Sequence, residues 1–277
     1  MLRVLAFAAA AVCCVSMDVV AQEFSVYTKV YDLDAKEDNL PYLRSQTVFH
    51  AGKVYDAIPV AGEVTVLEKA HQRIWIVNPD KGCRSSVDSD ELRHLLKTAE
   101  ERMVQRLGEL ERDPSVSREL LKALRFQLRP KFETQFDPKK GRLSLRSEYI
   151  SYEVEGQVSD HPEAVSAYLT YADWACQLNY VLHPQPLFPT VRLALNEQLR
   201  RHKLLPTRVI LRAKLDRPLN LKAEHELSWK LDAKSRQSIQ HWESKLRDPK
   251  LQQVSLPEYQ KIAFGQQTAR RGEGSRQ

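Results

Sequence analysis

From Leu219 to Trp229 the chain alternates without a slip. Leu219, Leu221, Ala223, His225, Leu227 and Trp229 fall on one side, and Asn220, Lys222, Glu224, Glu226 and Ser228 on the other. A period of two sustained over that length fits an antiparallel strand with one covered face and one wet face. The segment from Thr207 to Leu215 precedes it across Asp216-Arg217-Pro218, which is a hairpin connection. If Leu215 pairs with Leu219, Arg208 faces Glu226 across the hairpin. A sheet of this kind needs an apolar layer on its dry face.

More strands are signalled toward the N-terminus: Phe24–Tyr31, Thr47–Phe49, Lys53–Asp56, Glu63–Leu67, Arg73–Val77 and Cys83–Val87. Asn78-Pro79-Asp80-Lys81-Gly82 and Asp137-Pro138-Lys139-Lys140-Gly141 are two turns of one form, with Pro at the first central position and Gly at the left-handed one. They mark two hairpins, the second joining Phe132–Phe136 to Leu143–Arg146, and no full internal repeat surrounds them. Between them, Asp88 with Glu91 resembles a capping box, and Leu92, Leu96, Ala99, Met103, Leu107 and Leu110 follow helical spacing. Asp113-Pro114 ends that helix, and a second is expected over Ser117–Leu128. A third begins near His161-Pro162. Its face of Ala164, Tyr168, Tyr171, Ala175, Leu178 and Leu182 is broadened by Val165, Leu169, Ala172, Trp174 and Cys176, which implies deep burial. A fourth covers Thr190–His202, a fifth Lys234–Leu246 and a short one Glu258–Phe264. Strands and helices come in blocks rather than in βαβ alternation, so the fold class is α+β: a curved, half-barrel-like antiparallel sheet with helices packed on one face.

Residues 1–21 read as a secretory signal, with Arg3 before the apolar run Val4–Val15 and Val19-Val20-Ala21 at the cleavage position. The run is too short to span a bilayer as a mature helix. The expected organisation is a signal over 1–21, one α+β domain over 22–265 and a disordered basic tail over 266–277. Export places the protein in a periplasmic or extracellular setting. There the two remaining cysteines, Cys83 on a strand and Cys176 on a helix, either pair or stay as buried thiols.

None of the common nucleotide, metalloprotease, hydrolase or redox motifs is present, and the eight histidines fall in no metal spacing. Asp32-Leu33-Asp34 begins like a calcium loop and fails at Lys36 and Glu37. No cofactor is expected, and the balance favours a non-enzymatic protein. His225 is the one histidine on a plainly apolar strand face, while Glu224 and Glu226 read as surface charge. A hydrolase would need His225 or His50 as base with a nucleophile that sequence does not select. Net charge is +6, and Phe188–Lys222 concentrates nine bases against Glu197 and Asp216. Arg200, Arg201, Arg208 and Arg212 are the candidate contacts for an anionic partner, either a lipid headgroup or an envelope polymer. Nucleic acid is disfavoured, because the chain is read as exported and carries no nucleic-acid-binding motif.

The segments Phe24–Thr28, Gly52–Asp56, Glu63–Val66, Trp75–Pro79, Phe136–Pro138, Arg192–Asn196 and His225–Trp229 resemble a family of exported, uncharacterised planctomycete bacterial proteins. That family carries no assigned activity. The order of short strands, helical insertion and long hairpins also resembles the periplasmic lipoprotein-carrier half-barrel, in which apolar helices plug a curved sheet that shelters acyl chains. That resemblance implies an amphiphile held between sheet and helices. The apolar faces of the third helix and of the Leu219–Trp229 strand supply Tyr168, Tyr171, Trp174, His225, Leu227 and Trp229 as candidate lining residues.

Overall fold

The computed structural model describes residues 23–35, 40–183 and 187–263. The expected signal 1–21 and tail 266–277 lie outside the described residues. The described residues open with β1 (Phe24–Asp32), β2 (Leu43–His50), β3 (Lys53–Ile58), β4 (Glu63–Glu68), β5 (Arg73–Asn78) and β6 (Cys83–Asp88). Helices α1 (Ser89–Leu110) and α2 (Arg118–Leu128) follow, then β7 (Glu133–Asp137), β8 (Arg142–Arg146) and β9 (Ile150–Val158). Next come α3 (Pro162–Leu182), α4 (Pro189–Arg201), β10 (Leu204–Ala213), β11 (Leu219–Ser228), α5 (Ala233–Leu246), β12 (Gln252–Gln253) and a helical segment over 256–263.

All twelve strands belong to one curved, open sheet in the order β12-β6-β5-β4-β3-β2-β1-β11-β10-β9-β8-β7. Every pairing is antiparallel except the two-residue contact of β12 with β6. The expected α+β architecture is therefore present. The first strand lies between β2 and β11, so it joins the N-terminal meander to the C-terminal strands. Its register sets Thr28 opposite His225 and Val30 opposite Ala223.

Alternation along each strand makes two apolar surfaces. Phe24, Val26, Phe49, Val54, Leu67, Ile74, Ile76, Leu143, Tyr152 and Val154 point to an inner face. There they pack against Leu92 of α1, the buried side of α3, Val191, Leu195 and Leu199 of α4, and Leu256 and Tyr259. The outer face carries Val48, Tyr55 and Val66, and α5 covers them with Ile239 and Trp242. The main helical layer thus sits on one face, and a single helix seals part of the other.

Local chemistry explains the boundaries. Asp88 caps α1 by accepting hydrogen bonds from the backbone N–H groups of Asp90 and Glu91, and Ser117 caps α2 through that of Leu120. Gly82 and Gly141 adopt φ of 65° and 59°, as the two Pro-containing turns require. Three points differ from expectation. First, β9 adds a strand to those signalled above, with Ile150, Tyr152 and Val154 alternating with Ser151, Glu153 and Glu155. Second, β3 to β6 do repeat: the connections Pro59–Ala61, Lys69–His71 and Pro79–Lys81 are one-turn 3-10 helices, each closed by a left-handed residue, at Gly62, Gln72 and Gly82. The repeat has a ten-residue period, with Pro-x-x-Gly at Pro59–Gly62 and Pro79–Gly82, and is masked at Lys69–Gln72, where neither Pro nor Gly stands. Third, β10 meets β11 with Ala213 opposite Leu219, so Arg208 faces Glu224 rather than Glu226.

The C-terminal segment is held by a buried polar contact. Tyr259 is fully buried and donates its hydroxyl to Glu63 Oε2 at 2.6 Å, while Gln260 Nε2 donates to the Val181 carbonyl at 2.6 Å. Tyr259→Phe would leave a buried carboxylate oxygen short of a donor, an expected cost of about 1–2 kcal/mol. Hydrogen exchange should then quicken locally, over 252–263. Faster exchange spread evenly through the sheet would contradict such a local anchor.

Candidate functional site

On the inner face, α3 and α4 lean over β9, β10, β11 and β1, and polar groups collect at that crossing. Arg192 of α4 is flanked by the buried Val191 and Leu195, so its position on the helix carries the guanidinium inward. Its Nε donates to Asn196 Oδ1 at 3.0 Å, and Asn196 Nδ2 donates to Asp173 Oδ1 at 2.8 Å. Asp173 Oδ2 in turn accepts from Arg200 at 2.7 Å. A chain of hydrogen bonds therefore runs from an interior guanidinium to the half-exposed Arg200.

Arg192 also bonds the Tyr168 hydroxyl and acts electrostatically on Tyr152, Cys176 and His225. Burial pushes the Tyr152 phenol and the Cys176 thiol each up to about 12, despite the opposing pull of the guanidinium. The His225 ring lies 6.4 Å from that of Tyr168, and its Nδ1 is 2.9 Å from Thr28 Oγ1. Loss of hydration, reinforced by Arg192, lowers its pKa from 6.5 to about 4, so the ring is neutral at physiological pH. His225 Nε2 is shut off from water and has no hydrogen-bond partner among the described residues. In the tautomer in which Thr28 donates to Nδ1, Nε2 carries the hydrogen and is an unused donor beside a cation.

One strand-pair further along, Asp56 points inward from β3. Thr47 donates to its Oδ1 at 2.7 Å, and Tyr171 and Ser45 bond it as well. Burial raises its pKa against those hydrogen bonds. The inner face therefore holds a carboxylate ringed by hydroxyls and, separately, a guanidinium beside an unsatisfied imidazole.

Between Arg192 and the far ends of β1, β10 and β11 the inner surface is apolar but incompletely covered. Val30, Leu211, Leu219, Leu221 and Ala223 are all half-buried, whereas inward residues of β4, β5 and β8 such as Leu67, Ile74 and Leu143 are fully buried. Covered core and open stripe thus share one face.

The residues singled out from sequence are placed as follows. Tyr168 and Tyr171 are buried at 8% and 7% exposure, over His225 and Asp56 respectively, and Trp174 packs partly buried on the same core. Leu227 lies opposite Val26, and Trp229 stands at the rim, 39% exposed, against Phe24 and His161. The four arginines do not gather. Arg200 pairs with Asp173 and Arg201 with Glu197 on the helical side, while Arg208 and Arg212 lie on the outer face against Glu155 and Glu153. Each already has a carboxylate. Cys83 and Cys176 are both free thiols.

His225 meets a threonine hydroxyl, and His50 Nδ1 meets the Glu23 carboxylate at 2.6 Å. Neither histidine has the acyl-transfer arrangement of nucleophile, base and orienting acid. Among the described residues no group of His, Cys, Asp and Glu could hold a metal ion, and no helix is long and apolar enough to cross a membrane. Arg192 and Asp56 escaped the sequence reading, although parity with Val54 and the apolar neighbours of Arg192 were available signals. No protein-family model matches the chain, and no curated protein matches it in sequence.

Proposed function

We propose that this is an exported, non-enzymatic binding protein that shelters the acyl part of an anionic amphiphile on the inner face of its sheet. The carrying observation is the half-buried apolar stripe of β1, β10 and β11, which ends at Arg192, the Tyr168 hydroxyl and the unpartnered Nε2 of His225. The stripe would take methylene groups, each worth roughly 0.8 kcal/mol when removed from water. The polar end would take a carboxylate or phosphate: a guanidinium and a neutral imidazole N–H are donors to an anion, in a place where water does not compete. In this reading His225 and Tyr168 stand at the polar end rather than as general lining, and the arrangement would be of the lipoprotein-carrier kind that the sequence suggests.

Oleate and oleyl alcohol separate the two parts. Oleate is expected to bind the delipidated protein and raise its Tm, the stabilisation growing with ligand concentration. Arg192→Met should weaken oleate by about tenfold, the loss of one charge-assisted bond, and leave oleyl alcohol nearly unchanged. Absence of any thermal shift with either probe would overturn the proposal. Equal weakening of both would assign Arg192 to packing alone.

A further inference from the structure

A second concavity lies on the opposite side of the sheet. Its floor is the outer surface of β2 to β5, where Ala57, Val64, Val66 and Val77 alternate with the inward core residues. One wall is α5, with Lys234, Ser238, His241 and Trp242; the other is the repeated 3-10 connections, with Pro59, Val60 and Pro79. Tyr27, Tyr42 and Arg44 close one end, and the groove has a volume of about 660 Å³. Two of its side chains are notably bare for their size: Val60 is 76% exposed and Tyr42 55%.

The charges on this groove are unbalanced. Arg44 and Lys234 make no ion pair among the described residues, and Lys245 has only a 3.7 Å contact with Asp248. Asp80, lying over Gly62, is the lining carboxylate that faces the groove, because Glu63 is turned to the inner face and bonded to Tyr259. On α4 and β10, by contrast, Arg200, Arg201, Arg208 and Arg212 each have an acid. Here unpaired cations border three aromatic rings, those of Tyr27, Tyr42 and Trp242, and the hydroxyls of Ser238 and the two tyrosines.

We infer that this outer groove binds a short acidic saccharide, a polymer segment bearing carboxylates on its rings. The apolar face of a pyranose suits an aromatic ring, the ring hydroxyls suit tyrosine and serine, and the carboxylates suit Arg44 and Lys234. A shallow groove with adjustable polar groups along its rim fits a chain of sugars better than an acyl tail, which gains most where water is excluded on all sides. The inference is independent of the inner-face proposal, since the two sites share no side chain and lie on opposite faces.

The test is calorimetric titration of the full chain with trigalacturonate and with neutral galactotriose. Trigalacturonate is expected to bind, galactotriose at least about tenfold more weakly, and added salt should weaken the former. The double substitution Arg44→Ala with Lys234→Ala, both at exposed positions that leave the fold alone, should cost about tenfold or more in affinity. Arg192→Met should leave it unchanged. Equal binding of both trisaccharides, binding that survives the double substitution, or no binding at about 1 mM would each overturn the inference. Displacement of trigalacturonate by oleate in Arg192→Met protein would overturn it too, by assigning the groove to a lipid.

Discussion

Acidification from about pH 7.5 to about pH 4.5 is expected to cost about 2–3 kcal/mol of folding free energy through His225 alone. The unfolded chain protonates this imidazole at its ordinary pKa of 6.5, and the folded chain only near 4. Between those values the unfolded state holds the extra proton, so stability falls as pH falls. Above 6.5 both states are neutral and the contribution is whole. The cause is structural: Nε2 is shut off from solvent and has no partner among the described residues, and Arg192 stands nearby, so an imidazolium there would be an unpaired charge beside another cation. Other groups titrate in the same range. Glu68, Glu243 and Asp232 have lowered pKa values and lose their stabilisation as acid protonates them, whereas the buried Asp56, with its raised pKa, works in the opposite sense. All are common to wild type and His225→Gln, so the difference between the two urea-unfolding curves across pH isolates the histidine. The variant should be flatter by the amount stated. Parallel curves would mean that His225 titrates as a solvated residue and that the polar end of the proposed site is wet.

The same residue shows how far sequence reaches. Its place on the dry side of Leu219–Ser228 follows from a period of two, and the strand is there as read. Its partners do not follow, because periodicity assigns a face and leaves the neighbouring strand open. Thr28 lies 197 positions away, and β1 comes beside β11 only because the first strand is inserted between two meanders. Arg192 was visible as one of nine bases in a run. Counting charge treats every cation as surface, however, and only the burial of Val191 and Leu195 turns this one inward. The arginines that looked like a binding rim are split by the sheet itself: α4 is on one side, and Arg208 and Arg212 point out of the other. The outer groove left no trace in sequence, since its walls come from α5 and from turns more than 150 positions earlier. Helix caps and turns were legible because they are written within four or five residues; sites assembled across the sheet are not.

Register supplies the second large effect. Gly156→Val is expected to destabilise the protein by about 3 kcal/mol or more, enough to change its expression as folded material. Gly156 sits in β9 opposite Pro206, where β10 slips by one residue between Pro206 and Arg208. Proline gives no ladder hydrogen, and a proline inside a sheet is tolerated at such a bulge. Beyond the slip, β11 pairs with β10 only from Arg208 onward, so the Pro206 end of the strand is held from the β9 side alone. The bulged Thr207 bonds back to the Glu155 carbonyl at 3.1 Å, which draws the two backbones together. A Cβ at position 156 would lie 2.5 Å from the Leu205 carbonyl oxygen, a contact with backbone that no rotamer relieves. On the other side, the Gly156 N–H donates to the Gly141 carbonyl at 2.9 Å, fastening the Asp137–Gly141 turn to the same place. One glycine thus lets the turn, the bulge and the strand that carries Val209 and Leu211 meet. Pushing β10 away there would shift the surface over which Arg192 and His225 face each other. Chemical denaturation should report the loss of stability, and oleate affinity measured on whatever folds should fall with it. A Gly156→Val protein of wild-type stability would mean that β9 and β10 lie farther apart at this bulge than the register places them.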